Sequence, residues 1–447
     1  MTAALKRAFD TLSLPQPTLG RAVLFRLAFI YWGLFCTLIV ITNTDAFDWL
    51  LAPLGRALGA FGAWIATAIL GAGGEISGES NGSGDKTSDW ALLLFIASFA
   101  LVGTLVWTVV SHRRARDAWL REVLRVVVRY TLSFTVLSYG VVKLFFGQFP
   151  PPNPGRLLQP YGESSPMGLL WTFMGASPAY VFFSGLTETV GAVLLLFRRT
   201  ATLGALVLAV VLTNVVLLNF CYDVPVKIAS SHYLAMCVFL LLPDLGRLAN
   251  VLVLNRVVHP VSRDLVLPRR WMRVARRVLK YGVIAMAMFV TFEGAVTRYL
   301  EDDDPPAWYD GFWLVTSFIR DGREVPAIPG ATRWQRVRFQ RRGANLWFRW
   351  RFMNDSMSYG DLYDVAVDET ARTFTLTFDP TRNDTKQAKP GLETIVLTYV
   401  RIDEDHLKIE GKVGGDNLSV MLGRMDAGKS LLMTRGFHWI SDAPFNR

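Results

Sequence analysis

Apolar residues are distributed in two different ways along this chain. Up to about residue 298 they form long runs with little alternation, and from Trp308 onward they come in short segments cut by Gly, Asp, Asn and Pro. A helix crossing a bilayer needs about 20 mostly apolar residues. The segments 22–43, 90–111, 124–147, 178–197, 202–221, 229–246 and 279–298 meet that length. Downstream, TRWQRVRFQ (332–340), ANLWFRWRF (344–352), TFTLTFD (373–379), TIVLTYVRI (394–402), HLKIEGKV (406–413), NLSVMLGRM (417–425) and SLLMTRGF (430–437) read as strands, several with period-two alternation. Such a density of short antiparallel strands predicts a small up-and-down barrel or a sandwich. The expected fold is a mainly α polytopic membrane bundle of about seven transmembrane helices with a C-terminal all-β, barrel-like domain after it.

Composition agrees with a membrane chain. Hydrophobic residues make up 51% and charged residues 19% of 447 residues, where a soluble protein carries about 25% charged. The net charge is +10, and it is uneven. Residues 1–300 hold +12, whereas residues 301–447 hold −2. The arginines flank apolar runs instead of forming a separate basic surface, so the bilayer is the expected partner and nucleic acid is not. Basic clusters lie at Lys6/Arg7/Arg21, at HRRARDAWLR (112–121), at Arg198/Arg199 and at RDLVLPRRWMRVARR (263–277). Seven spans put all four on one side, the cytoplasmic side by the positive-inside rule. An eighth span through 47–72 would separate them. The segment 47–72 is therefore expected to be interfacial or re-entrant on the outer face, with a Gly/Ser/Asp-rich loop after it at 73–90. Residues 1–21 are then the cytoplasmic amino terminus, 22–298 the transmembrane domain with a retained first span, and 299–447 the extracytoplasmic β domain. Acidic EDDDPP (301–306) ends the last span.

An ionisable group in the bilayer core is costly, faces the bundle interior and marks a functional site. Arg129, Lys143, Glu188, His232 and Glu293 are such groups, accompanied by Tyr139, Asn214, Asn219 and Tyr222. At 1.5 Å per residue Glu188 is the deepest, too far in to reach an interface. Tyr139 and Lys143 share a face at i, i+4, and a Lys143–Glu188 pair is compatible with the spans. A cluster of Lys143, Glu188 and His232 would form a polar pocket opening toward the β domain. Structural readings stand beside these. Lys143 and Arg129 can reach opposite interfaces, His232 can serve a helix start, and Glu293 can pair with Arg298.

The remaining chemistry is sparse. Cys36, Cys221 and Cys237 form no CxxC motif and read as apolar packing. Five histidines, His112, His232, His259, His406 and His438, show no metal-ligand spacing. Gly423 to Ser430 matches the phosphate-loop pattern GxxxxGKS. The strand-like segments on both sides predict a hairpin turn there, because the phosphate cradle needs a strand feeding a helix. Trp308, Trp313, Trp334, Trp347, Trp350 and Trp439 line either a packed barrel core or a ligand cavity. The terminal TRGFHWISDAPFNR, with Arg435, His438, Trp439 and Arg447, is expected to close onto one of the domains.

Two parts of the chain resemble known families. GFWLVTSFIRDGREVP resembles the first strand of lipocalin-like barrels, with Trp313 as the plug. RYTLSFTVLSYGVVKLFF (Arg129 to Phe146) with its Gly140-x-x-Lys143, and FSGLTETVGAVLLLFRRTATLGAL (Phe183 to Leu206) with Gly185-x-x-Glu188-x-x-Gly191, resemble the DoxX-like membrane proteins. The likeness continues into NFCYDVPVKIASSHYLAMCVFLLLPDLGRL and points to a longer, mostly bacterial subgroup carrying an outer β domain. Some DoxX-like proteins are subunits of a thiosulfate:quinone oxidoreductase and others are linked to membrane redox homeostasis. The resemblance thus implies a bacterial inner-membrane protein with a quinone as diffusible cofactor and a further membrane protein as partner.

Two function classes are expected. In the first, a quinone-linked membrane oxidoreductase, Glu188 relays a proton while Lys143 and His232 hold the quinone headgroup or an anionic substrate, with Tyr139, Asn214, Asn219, Tyr222 and Arg129 around it. In the second, the bundle anchors a non-enzymatic lipid- or partner-binding barrel. A transporter is a weaker third class, because no inverted repeat is visible.

Overall fold

The computed structural model describes residues 18–42, 48–73, 82–110, 116–157, 159, 161–259, 270–301, 307–328, 331–342, 345–353, 362–380 and 392–435. The chain separates into two compact units, residues 1–150 with 165–296, and residues 151–164 with 297–447.

The first unit is helical. Its elements are α1 (Leu19–Thr42), α2 (Asp48–Trp64), α3 (Thr87–Val110), α4 (Arg116–Leu144), α5 (Pro166–Gly175), α6 (Pro178–Leu196), α7 (Ala201–Cys221), α8 (Lys227–Leu241), α9 (Leu245–Leu252) and α10 (Arg270–Glu301). Six helical stretches are long and apolar enough to cross a membrane: Leu19–Ile41, Thr87–Val110, Pro178–Leu196, Ala201–Cys221, Lys227–Leu252 and Arg270–Thr297. They fit a multi-pass membrane protein. The segment 47–72 forms α2, which contains Pro53 and passes into a π-helical turn at Ile65–Ile69.

The expected span 124–147 overlaps α4, the hub of the bundle, which ends at Leu144 and is not one of these six stretches. Leu124, Val128, Leu132, Val136, Leu137 and Val141 recur at three- and four-residue spacing and are fully buried. They meet Phe35 and Ile39 of α1, Ala192 and Leu195 of α6, Leu208 of α7 and Met236 of α8 in one core. The same helix carries seven charged side chains, so mean hydropathy understates how deeply it packs.

The second unit is a closed antiparallel barrel. Its strands are β1 (Gly311–Arg320), β2 (Arg323–Glu324), β3 (Ala331–Arg342), β4 (Asn345–Met353), β5 (Tyr363–Asp368), β6 (Thr373–Phe378), β7 (Thr394–Arg401), β8 (His406–Val413) and β9 (Asp416–Arg424). Eight of them pair in the ring β1-β3-β4-β5-β6-β7-β8-β9, closed by β9 on β1, while β2 is a two-residue hairpin arm on β1. Closure removes the exposed edges that a sandwich would keep. The inward side chains fill the interior: Phe318, Val337, Phe348, Tyr363, Phe374, Leu376, Leu407 and Leu422 are fully buried. Aromatic rings stack through it, with Phe374–Tyr399 centroids at 4.6 Å and Trp334–Trp350 at 4.9 Å. The tryptophans Trp313, Trp334 and Trp350 are therefore core, and Trp308 packs at its margin. Trp313 donates through Nε1 to the Tyr309 carbonyl at 3.0 Å, and the Arg424 guanidinium lies 4.5 Å from its ring centre.

One predicted strand is corrected. SLLMTRGF (430–437) is not a strand: a 3₁₀ turn at Ala427–Lys429 leads into the short helix Leu431–Thr434. The reason is topological, since β9 already pairs with both β8 and β1 and no edge remains for another strand. The hairpin expected at Gly423–Ser430 is therefore absent as well. A phosphate cradle does not replace it. Asp426 accepts from the Gly428 amide at 2.8 Å, and Lys429 Nζ stands 3.7 Å from the same carboxylate. The closing segment with His438, Trp439 and Arg447, residues 302–306 of EDDDPP and residues 74–81 of the 73–90 loop lie outside the described residues.

Phe348→Ala should cost the barrel about 3–5 kcal/mol, because a fully buried ring leaves a cavity in a closed wall. Denaturant unfolding monitored by tryptophan fluorescence measures this, and a loss below about 1 kcal/mol would contradict the packed interior.

Candidate functional site

Two glycine-spaced patterns on neighbouring helices build the most polar point of the bundle core. Ser133 Oγ of α4 donates to the Ala192 carbonyl of α6 at 2.7 Å, and Gly140 lies against Gly185. The residue order shows that α4 and α6 run antiparallel. A Cβ on Gly140 would stand 2.5 Å from Thr189 Oγ1 and 3.0 Å from the Gly185 carbonyl oxygen. One on Gly185 would stand 2.8 Å from the Gly140 carbonyl oxygen and 2.9 Å from Lys143 Cβ. The two backbones touch here because neither residue has a side chain.

Lys143 and Glu188 each stand three residues beyond one of these glycines. Helical side chains lean toward their own amino terminus. In an antiparallel pair, Lys143 and Glu188 therefore lean toward each other at the level of the glycine contact. Lys143 Nζ reaches both carboxylate oxygens of Glu188, at 2.6 Å and 2.5 Å. Lys143 is 6% exposed and Glu188 2%. Glu188 lies near the middle of α6, about 15 Å from its start and 12 Å from its end at 1.5 Å per residue.

The surrounding backbone confines both groups. On the far side of Glu188, Gly191 lets α7 approach: a Cβ on Gly204 would stand 2.8 Å from the Gly191 carbonyl oxygen. Helix α4 ends just after Lys143, where Phe146 takes φ +58° and the Gly147 amide donates back to the Val142 carbonyl at 2.9 Å. That is a Schellman-type ending with a non-glycine residue in the left-handed region. It keeps Lys143 in the last turn, where unpaired carbonyls favour a cation. Two of the three ammonium protons face Glu188, leaving a third for a ligand oxygen. Tyr139, one turn earlier, is 41% exposed, with its ring centre 6.5 Å from that of Tyr233 of α8.

The expected convergence of His232 on this pair is corrected. His232 turns toward α1, while its neighbour Tyr233 faces α4. Its Nδ1 lies 2.7 Å from the Ile228 carbonyl oxygen and its Nε2 2.6 Å from the Tyr31 hydroxyl. The carbonyl can only accept, so the proton sits on Nδ1, and Nε2 accepts from Tyr31 in a neutral ring. The imidazole stacks on Phe35 at 4.1 Å. Adjacent helical residues point about 100° apart, which separates His232 from a site that Tyr233 borders.

The other expected residues scatter. Asn219 is buried and donates to Ser230 Oγ at 3.0 Å, tying α7 to α8. Tyr222 packs with Phe149, Met174 and Val224 in a separate cluster. Asn214 is exposed on α7 and Glu293 on α10. Arg129 lies four turns before Lys143, about 21 Å away along α4, with its guanidinium 4.9 Å from the Tyr130 ring.

Arg26, which is 2% exposed and 5.7 Å from the Trp107 ring, was not among the expected groups. Its signal was available, since it is an ionisable residue inside the run 22–43. The role of Asp85 was not visible in the same way. It accepts from the Lys227 and Ile228 amides at 2.7 Å and 2.9 Å and caps α8 from a distant loop. Among the described residues, no three His, Cys, Asp or Glu side chains gather as metal ligands would.

Known proteins were compared with this chain. It is 36% identical over 133 residues to the uncharacterized protein YwoB of Bacillus subtilis (strain 168), covering 82% of that protein and 29% of this chain. The chain belongs to the YwoB family. No family model matches it, and no solved structure does. The YwoB relative has no described activity, so the chemistry of this site rests on its own residues.

Gly185→Val should destabilise the bundle by about 1–3 kcal/mol, since the added Cβ meets backbone and the rigid start of Lys143. Thermal unfolding in detergent measures this. An unchanged midpoint would mean that α4 and α6 do not pack through their glycines.

Proposed function

We propose that this chain is a DoxX-like protein of the bacterial cytoplasmic membrane, with its amino terminus inside and its barrel outside. Its helical unit serves a membrane quinone at the Lys143–Glu188 pair. The observation that carries this reading is a bidentate Lys–Glu pair inside an apolar bundle, at the glycine-spaced positions on which the DoxX-like resemblance rests.

The chemistry derives from the pair. A charge without a partner is costly in a low-dielectric interior, and here each group has the other as its partner. A quinone oxygen can accept a hydrogen bond from the third N–H of Lys143. When an external reductant supplies two electrons to a bound quinone, its two oxygens take up two protons, and Glu188 is the carboxylate placed to pass protons toward them. Protonation of Glu188 weakens its hold on Lys143 and frees the ammonium for the ligand oxygen. His232 takes no part in the pair and is assigned to the α1–α8 contact.

The second expected class, a barrel that encloses a lipid, has less support. Its interior is occupied by the chain's own aromatic and aliphatic side chains.

The test uses the purified full chain and its near-isosteric variant Glu188→Gln. Binding of a short-chain quinone, monitored by tryptophan quenching, should weaken about tenfold, and the rate of proton uptake on chemical reduction of the bound quinone should fall by about tenfold or more. Equal affinity and an equal rate of proton uptake in the two proteins would contradict the proposal.

A further inference from the structure

The strongest unexplained pattern lies on the wall of the barrel. Strands β1, β3 and β4 are neighbours and together contain eight arginines and no Asp or Glu. One of the eight, Arg333, turns inward and donates to the Val315 and Val325 carbonyls, both at 3.0 Å. The register of β3 on β4 places Arg336 opposite Arg351 and Arg338 opposite Arg349. Val337, Phe339, Phe348 and Trp350, the residues between them, are buried in the barrel. Strand alternation therefore puts all four arginine positions on the outer face.

Two arginine pairs thus face each other on one wall of the barrel. Like charges directly opposite one another destabilise an antiparallel pair, and two such rungs occur in succession. The pattern does not reflect a generally basic domain, since residues 301–447 carry a net charge of −2. Among the described residues, the carboxylates bordering these strands include Asp416, 3.5 Å from Arg320, Glu324 of β2 opposite Ile319, and Asp364 of β5 opposite Trp347, whereas Asp403, Glu404, Asp405 and Glu410 lie on β8 and in the β7–β8 turn. Beside the arginine block, the outer positions of β1 are apolar. Phe312 pairs with Arg338 and Leu314 with Arg336, and the Arg338 guanidinium lies 4.7 Å from the Phe312 ring.

We infer that the outer face of β1, β3 and β4 docks on anionic phospholipid headgroups of the membrane that holds the helical unit. Arginines suit phosphate because their planar donors bind it bidentately, and the adjoining Phe312 and Leu314 suit the apolar margin of the headgroup layer. The barrel comes after the last apolar helix with only residues 302–306 between them, a stretch that reaches about 20 Å at most. The anionic surface is thus present at high effective concentration. Arg336, Arg338 and Arg349 keep contacts within the protein, so docking depends on their summed charge and not on a free guanidinium.

The experiment places the full chain in nanodiscs of phosphatidylcholine alone, or with about one-third phosphatidylglycerol. Arginine labelling by a phenylglyoxal reagent is then read by mass spectrometry. Labelling of Arg349 should slow by about threefold or more in the anionic discs and recover at about 0.5 M salt, where screening is strong. Arg372 and Arg401, exposed on other strands and turns, should label equally in both discs. In the Arg336→Gln/Arg338→Gln variant, the protection of Arg349 should shrink. Equal labelling of Arg349 in the two discs, or equal protection of Arg401, would overturn the docking face.

Discussion

A buried ion pair can exist only where the helices around it approach closely enough to exclude lipid and keep the two charges in register. Lys143 and Glu188 impose that condition on this bundle. The condition is met by glycines at 140 and 185 between α4 and α6, and again at 191 and 204 between α6 and α7. With no Cβ at the crossing, backbones touch and the neighbouring long side chains turn into the space above. Desolvation of either charge alone would cost several kcal/mol, so the pair and the helix contact stabilise each other. The left-handed Phe146 belongs to the same arrangement, because it ends α4 where Lys143 must still be helical.

The barrel is governed by a different constraint, closure of its hydrogen-bonded ring. The pairing of β9 with β1 fixes the inside of every strand, fills it with aromatic side chains and leaves the outside free to carry charge. Closure also sets the course of the chain after β9. A chain leaving a closed sheet has no edge to join, so Ser430 to Thr434 turns into a helix.

Much of this was legible in the residues. Long apolar runs marked the helices, and period-two alternation marked β3, β4 and β6 to β9, because those signals are local. The Gly-x-x-Lys and Gly-x-x-Glu spacings marked the ion pair, since depth in an apolar run is readable from residue counting. What escaped was non-local. Periodicity tells which face a residue is on but not which helix covers that face, so His232 was grouped with Glu188 although Tyr31 and Phe35 enclose it. Asn214 looked like a core polar group until packing put it on the outer surface of α7. SLLMTRGF has the composition of a strand, and only the completed ring denies it one. Strand β5, short and flanked by aspartates, had too weak an alternation to be noticed.

The pairing of Lys143 with Glu188 is tested most directly by a double-mutant cycle in the purified full chain. Lys143→Ala, Glu188→Ala and the double variant are compared by reversible unfolding in one detergent. The predicted result is a coupling of about 2 kcal/mol or more, with each single variant less stable than additivity with the double allows, because each leaves a buried charge without its partner. Additive losses within about 0.5 kcal/mol would show that the two charges do not depend on each other.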